Sequence, residues 1–170
     1  FSQFLNQCRP GGRVYVNCDD EQAYQLAKAC GAPCIGIGKN HSADYRIIEY
    51  HQEGLTSYFK IAHHQTQTAI CLHLPGIHNA YNATMAFACA HGLGIEADEL
   101  VEAMRAFKGV GRRFHVTDMD IGKQKKITVI NDYGHHPTEI AHTYQAARAA
   151  YPNAKVHLIF EPHRFSRTQE

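Results

Sequence analysis

Twice along this chain a short apolar run gives way to a helical stretch and then to a second apolar run, and that order leaves few folds open. In the first instance residues 13–18 (R-V-Y-V-N-C) read as a strand between Gly11-Gly12 and the acidic pair Asp19-Asp20. Either aspartate can cap the helix that follows, whose Ala23, Leu26, Ala27 and Cys30 recur at helical spacing. Gly31 suits its C-terminal stop, Pro33 prevents continuation, and Cys34–Gly38 is a second apolar strand. Strand, helix and strand within so short a stretch make a parallel βαβ unit.

The second instance lies near the other end. Residues 127–132 read as a strand, 137–150 as a helix opened by Pro137, with Ile140, Tyr144, Ala147 and Tyr151 facing inward, and 156–160 as a buried-type strand. Two parallel strands so joined end at the same sheet edge, where ligands of open α/β sheets bind. One strand end emits Asp132, Tyr133, Gly134, His135 and His136; the other emits Glu161, Pro162, His163, Arg164, Phe165, Ser166 and Arg167. Arg164 and Arg167 offer forked donors for carboxylate or phosphate, and Asp132 at a strand end suits a ribose hydroxyl.

Between the two units, residues 44–50, 55–62 and 68–74 alternate apolar and polar positions, the texture of an antiparallel meander. A helix over 78–91 ends at Gly92, and another over 96–107 carries Leu100, Val101, Met104 and Phe107 on one face. His78 and Asn82, four apart, share a face of the first of these. Lys108–Arg113 (K-G-V-G-R-R) has two glycines and three cations and reads as a hinge, followed by strands over 114–120 and 127–132. The expectation is an α/β chain divided into 1–111 and 112–170.

Composition removes several classes of function. Seventeen Lys+Arg against 16 Asp+Glu give a formal charge of +1, without the basic excess of a protein that reads nucleic acid through its phosphates. No run approaches the roughly 20 apolar residues of a bilayer span, and no signal peptide is seen. The six cysteines include no two-residue-spaced pair, which points to reduced thiols and a cytoplasmic setting. Adjacent His135 and His136 rarely aim at one ion and lack a third ligand at suitable spacing, so no metal site is expected on this chain. Lys39, His41, His63, His64 and the loop at 122–126 read as solvent-facing surface. A start at Phe1 and a stop at Glu170 just past a strand suggest a piece of something longer.

Four motifs then carry a resemblance. D-Y-G-H-H-P-T-E at 132–139, E-P-H-R-F-S-R-T at 161–168, L-P-G-I-H-N-A-Y-N-A at 74–83 and G-V-G-R-R-F at 109–114 resemble the muramate–alanine branch of the Mur ligase family, in order and at plausible spacings. The resemblance implies the second half of an ATP-binding central domain (βαβ, antiparallel strands and two helices) followed by the first part of a Rossmann-like, amino-acid-binding C-terminal domain. It implies ATP-dependent joining of L-alanine to the muramoyl carboxylate of UDP-N-acetylmuramate through an acyl phosphate, in cell-wall synthesis. ATP and Mg2+ would be required, with no nucleic-acid or membrane partner. By the same resemblance His78, Asn79 and Asn82 would contact adenine or its ribose, Arg113 the ATP phosphates, and Asp132 the ribose. Tyr133, His135, His163, Arg164 and Arg167 would line the site for alanine and the muramoyl group, His135 orienting the amine or the intermediate.

The sequence also departs from the family pattern. It holds no G-x-x-G-K-T phosphate loop, and the UDP-binding domain and the Glu and His that hold magnesium would lie upstream of Phe1. Asn131 stands where many relatives carry Asp. These 170 residues are therefore not expected to catalyse alone. The alternatives are a murein-tripeptide recycling ligase and a non-catalytic nucleotide-binding module of the same fold.

Overall fold

The computed structural model describes residues 2–122 and 126–162. After a single turn, α1 (Ser2–Leu5), the chain enters β1 (Val14–Asn17), α2 (Glu21–Ala29) and β2 (Cys34–Gly38), the parallel βαβ unit expected from the sequence. Asp20, rather than Asp19, caps α2 by accepting the Ala23 amide at 3.0 Å. Asp19 instead ties the strand ends together: its carboxylate accepts the Lys39 and Asn40 amides at 2.7 and 3.0 Å and the Tyr81 hydroxyl.

Three longer strands follow, β3 (Tyr45–Glu53), β4 (Thr56–His63) and β5 (Thr66–Leu72), completing a sheet in the order β1-β2-β3-β4-β5. The meander reading holds for these three strands, which pair antiparallel in sequence order. β3 pairs antiparallel with β4 but parallel with β2, although a parallel neighbour ordinarily requires a long crossover. Stagger resolves this: β2 and β3 overlap only at Ile37–Tyr45 and Gly38–Arg46, so the chain need not travel back along a strand. Asp44 fixes the start of β3, exchanging bonds with the Gly36 amide at 2.7 Å and the Gly36 carbonyl at 2.9 Å. The rest of β3 and the β3–β4 turn therefore project past the end of β2.

One face of this sheet is covered by α3 (Ile77–Gly92), whose Ala80, Thr84 and Ala88 are buried and let the helix lie close. Ile37, Ile47, Phe59, Ile61, Ile70 and Phe87 make the core, joined by Leu100 of α4 (Ala97–Ala106). Phe107, expected on the packed face of α4, caps its end and is largely exposed.

Beyond the Lys108–Arg113 segment, β6 (His115–Asp120) and β7 (Lys126–Asn131) form an antiparallel hairpin, and α5 (Pro137–Ala150) packs beside it. Phe114, Ala146 and Ala147 build a second, smaller core that also takes in Leu55 from the β3–β4 turn.

Here the structure corrects the second βαβ expectation. Val156–Phe160 forms no strand, and among the described residues β7 pairs only with β6. Val156–Phe160 faces β7 across a cleft of about 750 Å³, lined also by Ile140, Tyr144 and Ala147 of α5 and by Tyr151 just beyond it, instead of pairing with it. Of the four residues expected to face inward, Ala147 is buried, Tyr144 is exposed and Tyr151 lies just past the end of α5; Ala146 takes the second buried position.

Candidate nucleotide site

Gly76 opens α3 in a left-handed conformation, φ 95°, and a Cβ there would meet the His78 ring at 2.5 Å and the Ala146 Cβ at 3.1 Å. That tight turn sets His78, Asn79 and Asn82 on the first turns of the helix. The Asn79 amide nitrogen donates to the Pro75 carbonyl at 2.7 Å, so part of its side chain is engaged in holding the turn.

The opposite side comes from the second core. Asp132, just after β7, accepts the Phe114 amide on Oδ2 at 2.8 Å and the Gly134 amide on Oδ1 at 2.7 Å. Each carboxylate oxygen keeps a further lone pair for a ligand hydroxyl. His136 caps α5 by accepting the Thr138 amide, and Glu139 reaches back to accept the His135 and His136 amides at 3.0 and 3.1 Å, a capping box. Those bonds, that from His135 first, outweigh the opposing effect of burial and hold the Glu139 carboxyl below its ordinary value, with the Arg113 guanidinium 3.7 Å away assisting.

These two walls enclose one cavity of about 790 Å³, within the range of small-ligand sites. His78, Asn79, Asn82, Arg113 and Asp132 all line it, over a floor that includes Leu72, Leu100 and Met104. Burial first, and then the neighbouring His142, push the His78 imidazole below its ordinary value of 6.5. A neutral imidazole offers one donor and one acceptor, as an amide does, and such groups match the mixed edge of a neutral heterocycle. Arg113 supplies charge at the same cavity, and the apolar floor suits a flat ring.

The remaining sequence-derived candidates are placed differently. Tyr133 and His135 follow β7 directly, with rings 5.5 Å apart, but are not among the residues lining this cavity. His163, Arg164 and Arg167 lie outside the described residues. The expected meeting of the two strand-end loops involves these residues and so lies outside the described part of the chain.

Sequence reasoning missed His142 and Glu139. His142 of α5 lines the same cavity with its ring centroid 5.5 Å from that of His78, and the Nδ1 atoms of both rings are buried without a hydrogen-bond partner among the described residues. The H-P-T-E spacing could have flagged Glu139 as a capping-box residue, but nothing local marks His142, because its neighbour lies 64 residues away on another helix. Lys39, His41 and His64 are exposed, whereas His63 stacks on Tyr45 with centroids 3.8 Å apart. All six cysteines are free thiols, and no helix among the described residues is long and apolar enough to cross a membrane.

Comparison with known proteins accounts for this architecture. Residues 1–90 match the Mur ligase middle domain and residues 112–169 match the Mur ligase glutamate ligase domain. Along its whole length the chain is 37% identical to proteins named UDP-N-acetylmuramate–L-alanine ligase from two Coxiella burnetii strains, Dugway 5J108-111 and RSA 331 / Henzerling II. It spans 37% of the length of each of these curated relatives. Among solved structures, the UDP-N-acetylmuramate-alanine ligase MurC of Thermotoga maritima superposes with a TM-score of 0.74 at 28% identity, over 89% of this chain and 33% of that one. MurF of Acinetobacter baumannii shares the fold, with a TM-score of 0.74 at 21% identity over 85% of this chain and 31% of that one. Matched by a domain model over more than half its residues, the chain belongs to the Mur ligase family.

Proposed function

We propose that this chain serves an ATP-dependent ligase that joins L-alanine to the muramoyl carboxylate of UDP-N-acetylmuramate, in the cytoplasm, during peptidoglycan synthesis that sustains cell shape and division. The observation that carries the reading is the single cavity on which His78, Asn79 and Asn82 from one core and Arg113 and Asp132 from the other converge. The 37% identity to relatives of that name supports the choice of substrates, and the six free thiols suit a reducing compartment.

In this reading the base of ATP lies on the apolar floor with its edge toward His78 and Asn82. Asp132 accepts from the ribose. Arg113 exchanges its 3.7 Å contact with Glu139 for phosphate oxygens, lowering the repulsion between two anionic reactants. The muramoyl carboxylate takes the γ-phosphoryl group as ADP leaves, the neutral alanine amine attacks the acyl carbon, and phosphate leaves as the amine gives up a proton. Tyr133 and His135, with His163, Arg164 and Arg167, are assigned to the alanine and muramoyl side. Among the described residues no group of three or more His, Cys, Asp or Glu is arranged to hold a metal, so none is assigned to Mg2+. The division proposed for the two parts is 1–111 and 112–170, with Lys108–Arg113 as the hinge between them.

The test is phosphate release by the intact protein carrying this chain, with ATP, UDP-N-acetylmuramate and either L-alanine or a murein tripeptide in competition. Release that requires alanine and is indifferent to the tripeptide is expected. Preference for the tripeptide would reassign the enzyme to recycling, and nucleotide binding without turnover would leave a binding module.

A further inference from the structure

The tip of the β3–β4 hairpin reaches out of its own sheet to a place where three elements meet. Gln52 lies there with every polar atom of its amide engaged. Its Nε2 donates to the Gly54 carbonyl at 2.8 Å and to the Ala146 carbonyl of α5 at 3.1 Å. Its Oε1 accepts the Gly76 amide at 2.9 Å, at the entrance to α3, and a longer bond from the Tyr50 hydroxyl at 3.4 Å. The reverse amide orientation would set NH2 against the Gly76 N–H and oxygen against two carbonyls, so the network admits one arrangement. Leu55, two residues beyond the strand end, packs into the small core of Phe114, Ala146 and Ala147. Across the same junction a Cβ at Gly76 would lie 3.1 Å from the Ala146 Cβ, a tight approach that leaves the two elements closely packed.

Holding a hairpin turn needs only the Gly54 bond. The bonds to Gly76 and Ala146 reach partners 24 and 94 residues away, on the two helices that wall the cavity. We propose that Gln52 and Leu55 form a latch that holds α5 against the first turn of α3 and so keeps the two walls of the nucleotide cavity in register. Gln52 is thus a positioning residue: it does not line the cavity, but it bonds to the backbone of both elements that carry the lining side chains. The inference rests on the nucleotide reading of that cavity.

Two variants of the intact protein test it. Gln52→Met keeps the shape and removes both hydrogen-bonding ends. The KM for ATP should rise by about fivefold to tenfold, the worth of roughly one net hydrogen bond, with the KM for alanine changed far less. Amide exchange at Gly76 should quicken, which reads the latch directly. Gln52→Glu keeps the acceptor for Gly76 but, when ionised, faces the Gly54 and Ala146 carbonyls with lone pairs. The KM for ATP should therefore rise at neutral pH, while Gly76 stays protected.

An ATP KM within twofold of wild type for Gln52→Met, with unchanged Gly76 exchange, overturns the latch. So does a Gln52→Glu protein whose KM for ATP stays within twofold of wild type, and this arm decides alone if Gln52→Met does not fold. A wild-type protein that binds no ATP overturns the nucleotide reading instead, and Gly76 exchange still reports whether the junction is held as described.

Discussion

His78 and Asp132 line one cavity, and each also bears on the stability of the fold. Burial and the nearby His142 keep the His78 ring neutral in the fold, so the unfolded chain takes up its proton first as pH falls. The sign follows: stability from this group is fully present above its ordinary value of 6.5 and is lost as pH drops from there toward the lowered folded value. His78→Asn should flatten that part of a chemical-denaturation profile taken between about pH 7.5 and 5; an unchanged slope would mean the ring is not desolvated as described. Asp132 does structural work as well, through the Phe114 and Gly134 amides. Asp132→Ala should cost about 1–3 kcal/mol by leaving those donors unpaired. In the intact enzyme it should also raise the KM for ATP more than that for alanine, and equal rises would contradict a ribose role.

Among the elements, α3 depends on a single backbone conformation. Gly76 takes φ 95° and has no room for a Cβ beside His78 and Ala146. Gly76→Ala should therefore destabilise by about 1–3 kcal/mol, visible as a lowered denaturation midpoint, and should weaken ATP binding because the turn that carries His78 must move. The start of α2 offers a contrast. Asp20→Ala removes the bond to the Ala23 amide and should cost about 1 kcal/mol with no change in ATP KM, since α2 contributes nothing to the cavity lining. Together the pair separates a helix start that serves the site from one that serves only the fold.

Considered as a whole, the molecule has one well-filled core and one open one. The sheet with α3 and α4 buries a continuous cluster, whereas β7, α5 and Val156–Phe160 surround an unfilled cleft of about 750 Å³. Ile127, Val129, Leu158, Ile159 and Phe160 are exposed around it, with Ile159 at 96%. The 170-residue chain produced alone should self-associate and bind a hydrophobic dye, measured by sedimentation velocity and fluorescence. Ile159→Lys should reduce both; a monodisperse, dye-silent wild-type chain would show that this surface is covered.

Local rules were enough for much of this. Helical spacing and the Asp20 cap gave α2, Pro137 gave the start of α5, and alternation gave the strand faces, because each of these is decided by residues within a few positions of one another. The L-P-G-I-H-N and G-R-R-F motifs and Asp132 were singled out through the family resemblance that these short runs carry, and all contribute to the cavity lining. Tertiary structure alone decided the rest. The staggered β2–β3 pair, the absence of a strand at Val156–Phe160, the approach of His142 to His78 and the reach of Gln52 to Ala146 all join parts of the chain whose relation no local periodicity encodes. Pairing and packing depend on which surfaces arrive opposite one another, and that is a property of the assembled chain.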